Sequence, residues 1–291
     1  MYNIKIFKKK FLIIIFICII ALTIYCYIEN NFIKVDNYTI SLDNLPSELN
    51  GLKIAHVSDV HLPKNASSIN NLVKLIAKEN VDLIFMTGDI IDDGKTLNTC
   101  GFNELCSKLS IIAPTYAVTG NHEFLNNNLN DYKEILTNNN IQLIDNSAVF
   151  FTRGKSSIAI MGLEAKCHYS SSYYSNIENI VEVPKLLLAH HPELFNEYFS
   201  SDNNVIPDVV FSGHAHGGQF RIPLINRGIL APGQGLFPKY TSGIYKSING
   251  KSMIISRGLG NSSFPFRIHN RPTLPIITLT NWLIGTFMIK W

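Results

Sequence analysis

The chain has 291 residues, with 25 Lys and Arg against 22 Asp and Glu and a formal net charge of +3. That length suits one large globular domain, or two, with a sizeable buried core, and so small a charge excludes a nucleic-acid partner held by a basic face. The five cysteines form no C-x-x-C pair and no disulfide framework; a Cys100–Cys106 bridge is the less favoured option.

In chain order, Lys5, Lys8, Lys9 and Lys10 make residues 1–10 a basic segment. Residues 11–28 are apolar, carry no charge and come close to the length that spans a bilayer. Lysines before this run and few basic residues just after it predict a cytoplasmic N-terminus and an extracytoplasmic remainder. Its end, Thr23-Ile24-Tyr25-Cys26, offers no small-x-small cleavage site, which favours an uncleaved signal anchor over a signal peptide. Residues 29–50 read as a linker with a short strand at Tyr38-Thr39-Ile40 and a turn at Leu45-Pro46.

A globular unit is expected over residues 51–280. It opens with a strand at 52–57 that runs into Ser58-Asp59-Val60-His61, then a helix on which Ile69, Leu72, Val73 and Ile76 share a face. A strand at 81–86 leads to Gly88-Asp89-Ile90-Ile91-Asp92, and after a helix around Glu104 to Leu109 a strand at 115–118 leads to Gly120-Asn121-His122-Glu123. A helix over 131–138 precedes short strands at 142–144, 148–152 and 157–162, and the Ser/Tyr/Asn-rich stretch 167–183 reads as a loop. Strand 185–189 ends at His190-His191-Pro192, and strand 208–211 delivers Gly213-His214-Ala215-His216-Gly217-Gly218-Gln219. Further strands are expected near 252–256 and 275–279, and residues 281–291 form an apolar tail too short to span a bilayer. The alternation of strands and helices predicts an α/β layered domain.

Five strand-like runs thus end in metal-capable side chains: Asp59 and His61, Asp89 and Asp92, Asn121 and His122, His190, and His214 with His216. Parallel strands bring their carboxyl ends to one edge, so residues distant in sequence meet there. Carboxylates, imidazoles and an amide oxygen suit manganese, iron or zinc better than calcium. His56 lies inside a strand and reads as core, and His168 and His269 read as surface residues. His190 and His191 face opposite ways, so only one of them serves as a ligand.

Taken together, Asp-x-His, Gly-Asp-x-x-Asp, Gly-Asn-His-Glu, a lone His and Gly-His-x-His resemble the calcineurin-like metallophosphoesterases. Gly217-Gly218-Gln219, Gly235 to Tyr240 and Arg257-Gly258-Leu259-Gly260 look like its membrane-associated YkuE/YaeI-like branch. The resemblance covers about residues 38 to 280 and implies an α/β (α+β four-layer) fold, a β-sandwich of two mixed sheets flanked by helices, here preceded by one transmembrane helix. It implies two divalent metal ions, manganese first, with iron or zinc as alternatives. Asp59, His61, Asp89 and His216 would hold one metal; Asp89, Asn121, His190 and His214 would hold the other, Asp89 bridging. His122 would be the catalytic histidine, oriented by Asp92.

The implied chemistry is hydrolysis of a phosphodiester or pyrophosphate by hydroxide generated between the two cations. The implied substrate is one at the membrane surface, lipid-linked in the manner of UDP-2,3-diacylglucosamine. Ala215, Pro63 and Thr273 depart from the branch pattern at positions that touch no expected ligand. Asp93 stands where protein phosphatases carry Arg, against a phosphoprotein substrate. A metallo-β-lactamase reading fails because Gly217-Gly218 follow where Asp-His is wanted. A non-catalytic anchored binding module has no use for the His122/Asp92 pair. Lys239, Tyr240 and Arg257 remain as residues that either pack or contact a phosphate or head group.

Overall fold

The structure is a computed structural model that describes residues 2–63, 66–97, 99–125, 129–261 and 266–281. It opens with helix α1, Tyr2–Asn31. Strand β1 (Lys34–Leu42) precedes β2 (Lys53–Val57), α2 (Ala66–Lys78), β3 (Leu83–Thr87), α3 (Phe102–Ile112), β4 (Thr115–Val118), α4 (Asn121–Leu125), α5 (Leu129–Asn138) and β5 (Gln142–Leu143). Then come β6 (Ser147–Arg153), β7 (Ser156–Leu163), β8 (Lys185–Ala189), α6 (Phe195–Tyr198) and β9 (Val209–Ser212). Two small hairpins, β10 (Arg221–Ile222) with β11 (Arg227–Gly228) and β12 (Leu230–Ala231) with β13 (Gly235–Leu236), lead to β14 (Gly243–Lys246), β15 (Ser252–Ile255) and β16 (Thr273–Asn281).

The larger strands form two six-stranded mixed sheets, ordered β1-β16-β2-β3-β4-β5 and β14-β15-β9-β8-β7-β6. In the first, β2, β3, β4 and β5 are parallel to their neighbours while β16 opposes β2. In the second, β7, β8, β9 and β15 are parallel, flanked by antiparallel β6 and β14. This is the mixed α/β, two-sheet fold that the resemblance implies.

The period-two rule explains the layers. On β3, Leu83 and Phe85 face the second sheet while Ile84 and Met86 face the helices, so every residue of the strand is buried. On β8, Leu186 and Leu188 enter the space between the sheets, and Leu187 and Ala189 pack on the outer side with Tyr198 and Phe199. Ile69, Leu72 and Ile76 put the apolar face of α2 on the first sheet. His56, on β2, is fully buried between the sheets against Phe211 and bonds Thr87 Oγ1 at 2.8 Å.

The segment Lys10–Asn31 of α1 has mean hydropathy 2.9, and its apolar stretch is not covered by the rest of the protein. It is long and apolar enough to cross a bilayer. Its last turns dock on the globular unit: Asn30 Nδ2 donates to the Arg267 carbonyl at 3.1 Å, and the Arg267 N–H returns a bond to Asn30 Oδ1 at 2.6 Å. Cys100 and Cys106 are both free thiols. Strand β1 is longer than the expected Tyr38–Ile40 because it pairs in parallel with β16 over nine residues. The expected apolar tail, Trp282 to Trp291, lies outside the described residues.

Candidate metal centre

Strands β2, β3 and β4 stop at the same edge of the first sheet, and β8 and β9 at the adjoining edge of the second. Each strand releases its chain into a tight turn there. Asp59, His61, Asp89, His214 and His216 adopt φ of +51°, +49°, +50°, +63° and +46°. That left-handed backbone costs a non-glycine residue roughly 1–2 kcal/mol, and surrounding bonds hold it. The Asp59 N–H donates to the Gly88 carbonyl and the His61 N–H to the Asp89 carbonyl, each at 3.1 Å, and the Gly213 N–H donates to the His190 carbonyl at 3.1 Å. Two glycines are required for closeness: a Cβ on Gly120 would collide with the Asp89 backbone and carboxylate, and one on Gly213 with the Ser58 hydroxyl and the Asp59 carboxylate.

The nine residues singled out from the sequence meet in one contiguous cluster. His61 Nε2 lies 3.0 Å from His216 Nε2, and Asp59 Oδ1 lies 3.3 Å from that same atom. Asp89 Oδ2 lies 3.1 Å from His190 Nε2 and 4.0 Å from His61 Nε2, so it stands between two groups of donors. His190 Nε2 is also 3.2 Å from Asn121 Oδ1, and the His190 and His214 rings are 4.9 Å apart. The donor atoms of Asp59, His61 and His216 lie within 4.8 Å of one another, as do those of Asp89, His190 and His214.

The donor chemistry fits divalent cations. Burial, then His61 and Arg267 nearby, keep His216 well below the ordinary imidazole pKa. Burial and the charges of His190 and His191 bring His214 down to about 3. Neutral imidazole is the form that binds metal. Burial works against the charge of Asp89, yet His190, His61 and His122 around it hold its carboxyl well below the usual range. His190 itself is opposed by burial and driven up to about 10 chiefly by Asp89. Lone pairs of four imidazoles and two carboxylates converge in these two groups, a donor set that a divalent cation in each group would satisfy.

His190, not His191, belongs to the cluster. It continues the phase of Leu186 and Leu188 toward the first sheet, whereas His191 turns to Glu193 Oε1 at 3.1 Å. His191, Glu193 and His214 form a further group of donors at the rim. His122 stands 3.9 Å from Asp89 Oδ2, a quarter exposed. Its Nδ1 accepts the Asp93 N–H at 3.1 Å and lies 3.4 Å from Asp92 Oδ1. Because Nδ1 accepts, the proton of the neutral ring sits on Nε2, the nitrogen turned toward Asp89. Asp92 Oδ1 bonds His61 Nδ1 at 3.3 Å, so this carboxylate lies between the two histidines and accepts from His61.

Three residues support the cluster from behind. Glu123 is buried and accepts four backbone N–H groups: Asp89 at 2.9 Å and Gly120 at 2.7 Å on Oε2, Ile90 at 2.8 Å and Ile91 at 3.3 Å on Oε1. Arg267 is fully buried, donates to the Arg257 carbonyl at 2.7 Å, and approaches His216 Nδ1 at 3.4 Å. Asn270 Nδ2 ties the carbonyls of His216 at 2.7 Å and Gln219 at 3.1 Å. A buried acid directly after Gly-Asn-His was the only visible signal of these. A cavity of about 510 Å³ adjoins the cluster, lined by His61, Asp92, Leu72, Leu259 and, at the base of α1, Asn30 and Asn31.

Two carboxylate and imidazole groups sharing Asp89 at the edge of a two-sheet α/β fold define a metal-dependent hydrolase. The chain belongs to the calcineurin-like phosphoesterase family, which it matches over residues 52–218, and is a divalent-metal enzyme acting on phosphoester bonds. It is similar to an uncharacterized metallophosphoesterase of Bacillus subtilis, YkuE, with 27% identity over 87% of this chain and 87% of that one. It is also similar to the phosphodiesterase YaeI of Escherichia coli, with 26% identity over 78% of this chain and 82% of that one. A zebrafish (Danio rerio) transmembrane protein with a metallophosphoesterase domain is 26% identical over 84% of this chain and 57% of that protein.

Proposed function

We propose that this chain is a membrane-anchored phosphoesterase with a dinuclear site that cleaves a phosphodiester or pyrophosphate. The observation that carries this reading is the position of Asp89, whose carboxylate reaches donors of both groups, His61 and His190. Asp59, His61, Asp89 and His216 would hold one cation, and Asp89, Asn121, His190 and His214 the other. Manganese suits this mixed oxygen and nitrogen set, with iron or zinc as alternatives. Two such cations, when bound, neutralise phosphoryl oxygens and lower the pKa of water toward neutrality.

The protein's own residues supply the rest. His122 presents Nε2–H beside Asp89, where it donates a hydrogen bond to the leaving oxygen and to the charge that develops on it. The Asp93 N–H on Nδ1 holds that tautomer, and Asp92 orients the neighbouring His61 through Nδ1. Glu123 fixes the backbone of residues 88–91, and therefore the direction of the Asp89 carboxylate.

The N-terminal lysines followed by an uncovered apolar helix support an anchor with the catalytic unit outside the cytoplasm. The similarity to a protein named as transmembrane supports the anchor. The cavity between His61, Asp92 and the base of α1 supports a lipid-linked substrate, of which a UDP-linked diacyl sugar is one. The test uses the full chain in detergent with Mn²⁺, assayed on a monoester, a soluble diester and a UDP-linked acyl sugar beside Asp89→Ala. Cleavage of diester or pyrophosphate, lost in Asp89→Ala, is expected; preference for the monoester would refute the substrate class.

A further inference from the structure

A second cavity, of about 640 Å³, lies beside the His216–Gly218 turn and is lined by Arg221, Arg227, Lys239 and Arg257, with Tyr38 and Tyr245. Among the described residues, no carboxylate lines it. Three of these cations meet neutral groups alone among the described residues. Arg221, buried, donates to Asn226 Oδ1 at 2.8 Å, Thr241 Oγ1 at 3.2 Å and the Gly217 carbonyl. Arg227 reaches the Phe237 carbonyl at 3.3 Å, and the Lys239 ammonium sits over the Tyr240 ring at 4.9 Å. The Arg257 guanidinium has no hydrogen-bond or ion-pair partner among the described residues. Asp36, two residues before Tyr38, is held by Lys34 at 2.7 Å.

Burial, with Arg257 next in effect, brings the Arg221 pKa down to about 10. Like charges in a partly dry cavity repel, and a multivalent oxyanion offering several acceptors reverses the sign of that interaction. The rim is apolar: Leu224 is fully exposed, Ile225 is 65% exposed and Phe237 50% exposed. The site also adjoins the base of the anchor. Phe220 bridges to Ile268, the Arg221 N–H donates to the Ile268 carbonyl at 3.1 Å, and the neighbouring Arg267 is the residue bonded to Asn30.

We propose that this cavity is a second, non-catalytic binding site for a phosphate group, separate from the metal cluster. Its ligand is a phosphomonoester or phosphodiester, presented by an anionic lipid head group or free in solution.

The test is calorimetric titration of the metal-stripped full chain in uncharged detergent with inorganic phosphate and, separately, with dihexanoyl phosphatidic acid. A single saturable site is expected, weakened about tenfold or more by Arg257→Gln and by Lys239→Gln, since each removes a charged hydrogen-bond donor. Asp89→Ala leaves that binding unchanged, which separates this site from the catalytic reading. Both cavity variants, reloaded with metal, retain diester hydrolysis and so report a folded protein. Equal affinity for the two ligands supports free phosphate as the occupant; tighter binding of the lipid supports a head group. Absence of binding to the parent chain, binding undiminished in both cavity variants, or loss of binding in Asp89→Ala overturns the proposal.

Discussion

Glu123 Oε2 accepts the backbone N–H of Asp89 at 2.9 Å, and the same carboxylate bonds Gly120, Ile90 and Ile91. The residue behind the centre therefore fixes the backbone from which the shared carboxylate projects. Burial, with the Asp89 charge adding to it, pushes the Glu123 carboxyl up to about 7, against the pull of those N–H donors. Glu123→Gln keeps the shape but presents an amide N–H₂ to backbone donors. Expected outcomes are a loss of roughly 1–3 kcal/mol of stability for donors left unpaired and a 10–100-fold weaker metal affinity. Urea unfolding and metal titration of the variant measure the two.

His122→Ala removes the only histidine of the cluster that is assigned no metal. Metal content should stay at the parent level while kcat on a soluble diester falls by roughly 10²–10⁴-fold. Elemental analysis and steady-state kinetics on the same preparation check this together, and an unchanged kcat removes His122 from the chemistry.

His56 is fully buried, and its burial lowers the imidazole pKa to about 3 from an ordinary 6.5. Its Nδ1 has no partner while Nε2 meets Thr87 Oγ1 at 2.8 Å, so the neutral ring carries its proton on Nε2. The unfolded chain takes up a proton below pH 6.5 that the folded chain refuses until about pH 3. Stability therefore falls as pH drops through that window, by ~1.4 kcal/mol per pH unit from this group. His56→Gln, which cannot titrate, should flatten that share of the slope in urea titrations at about pH 4 to 6.

The Asn30–Arg267 pair couples the apolar helix to the loop that supports His216. Asn30→Ala deletes both bonds, worth ~1 kcal/mol each. Turnover of a membrane-embedded substrate in proteoliposomes should fall by about tenfold, while soluble diester hydrolysis in detergent stays at the parent rate. Equal losses on both substrates would argue that the pair supports the catalytic unit itself.

Much of the fold is legible because burial on both faces leaves apolar runs with little ambiguity. Leu83 to Met86 and Leu186 to Ala189 read as strands for that reason, and the residues after them project from a shared edge. The choice of His190 over His191 comes from the family resemblance, because Leu186, Leu187 and Leu188 are apolar on both faces of the strand and show no phase. Strand β1 was only partly legible because Asp36, Asn37 and Thr39 on this edge strand break the apolar pattern. Asn121 follows a strand and opens α4, which is only five residues long and too short to show periodicity. Arg267 and Asn270 were not legible in their supporting roles because they act on backbone carbonyls, and contacts across about fifty residues leave no spacing to read. Hairpins β10–β11 and β12–β13 owe their form to the turns around them rather than to alternation.

The measurement that bears most directly on the dinuclear reading is metal stoichiometry and diester hydrolysis, determined together for the full chain and for Asp89→Ala. Two divalent ions per parent chain, with both metal and turnover lost in Asp89→Ala, are the predicted result. A parent enzyme that turns over with a single bound ion, or an Asp89→Ala chain that keeps two ions and full turnover, would contradict it.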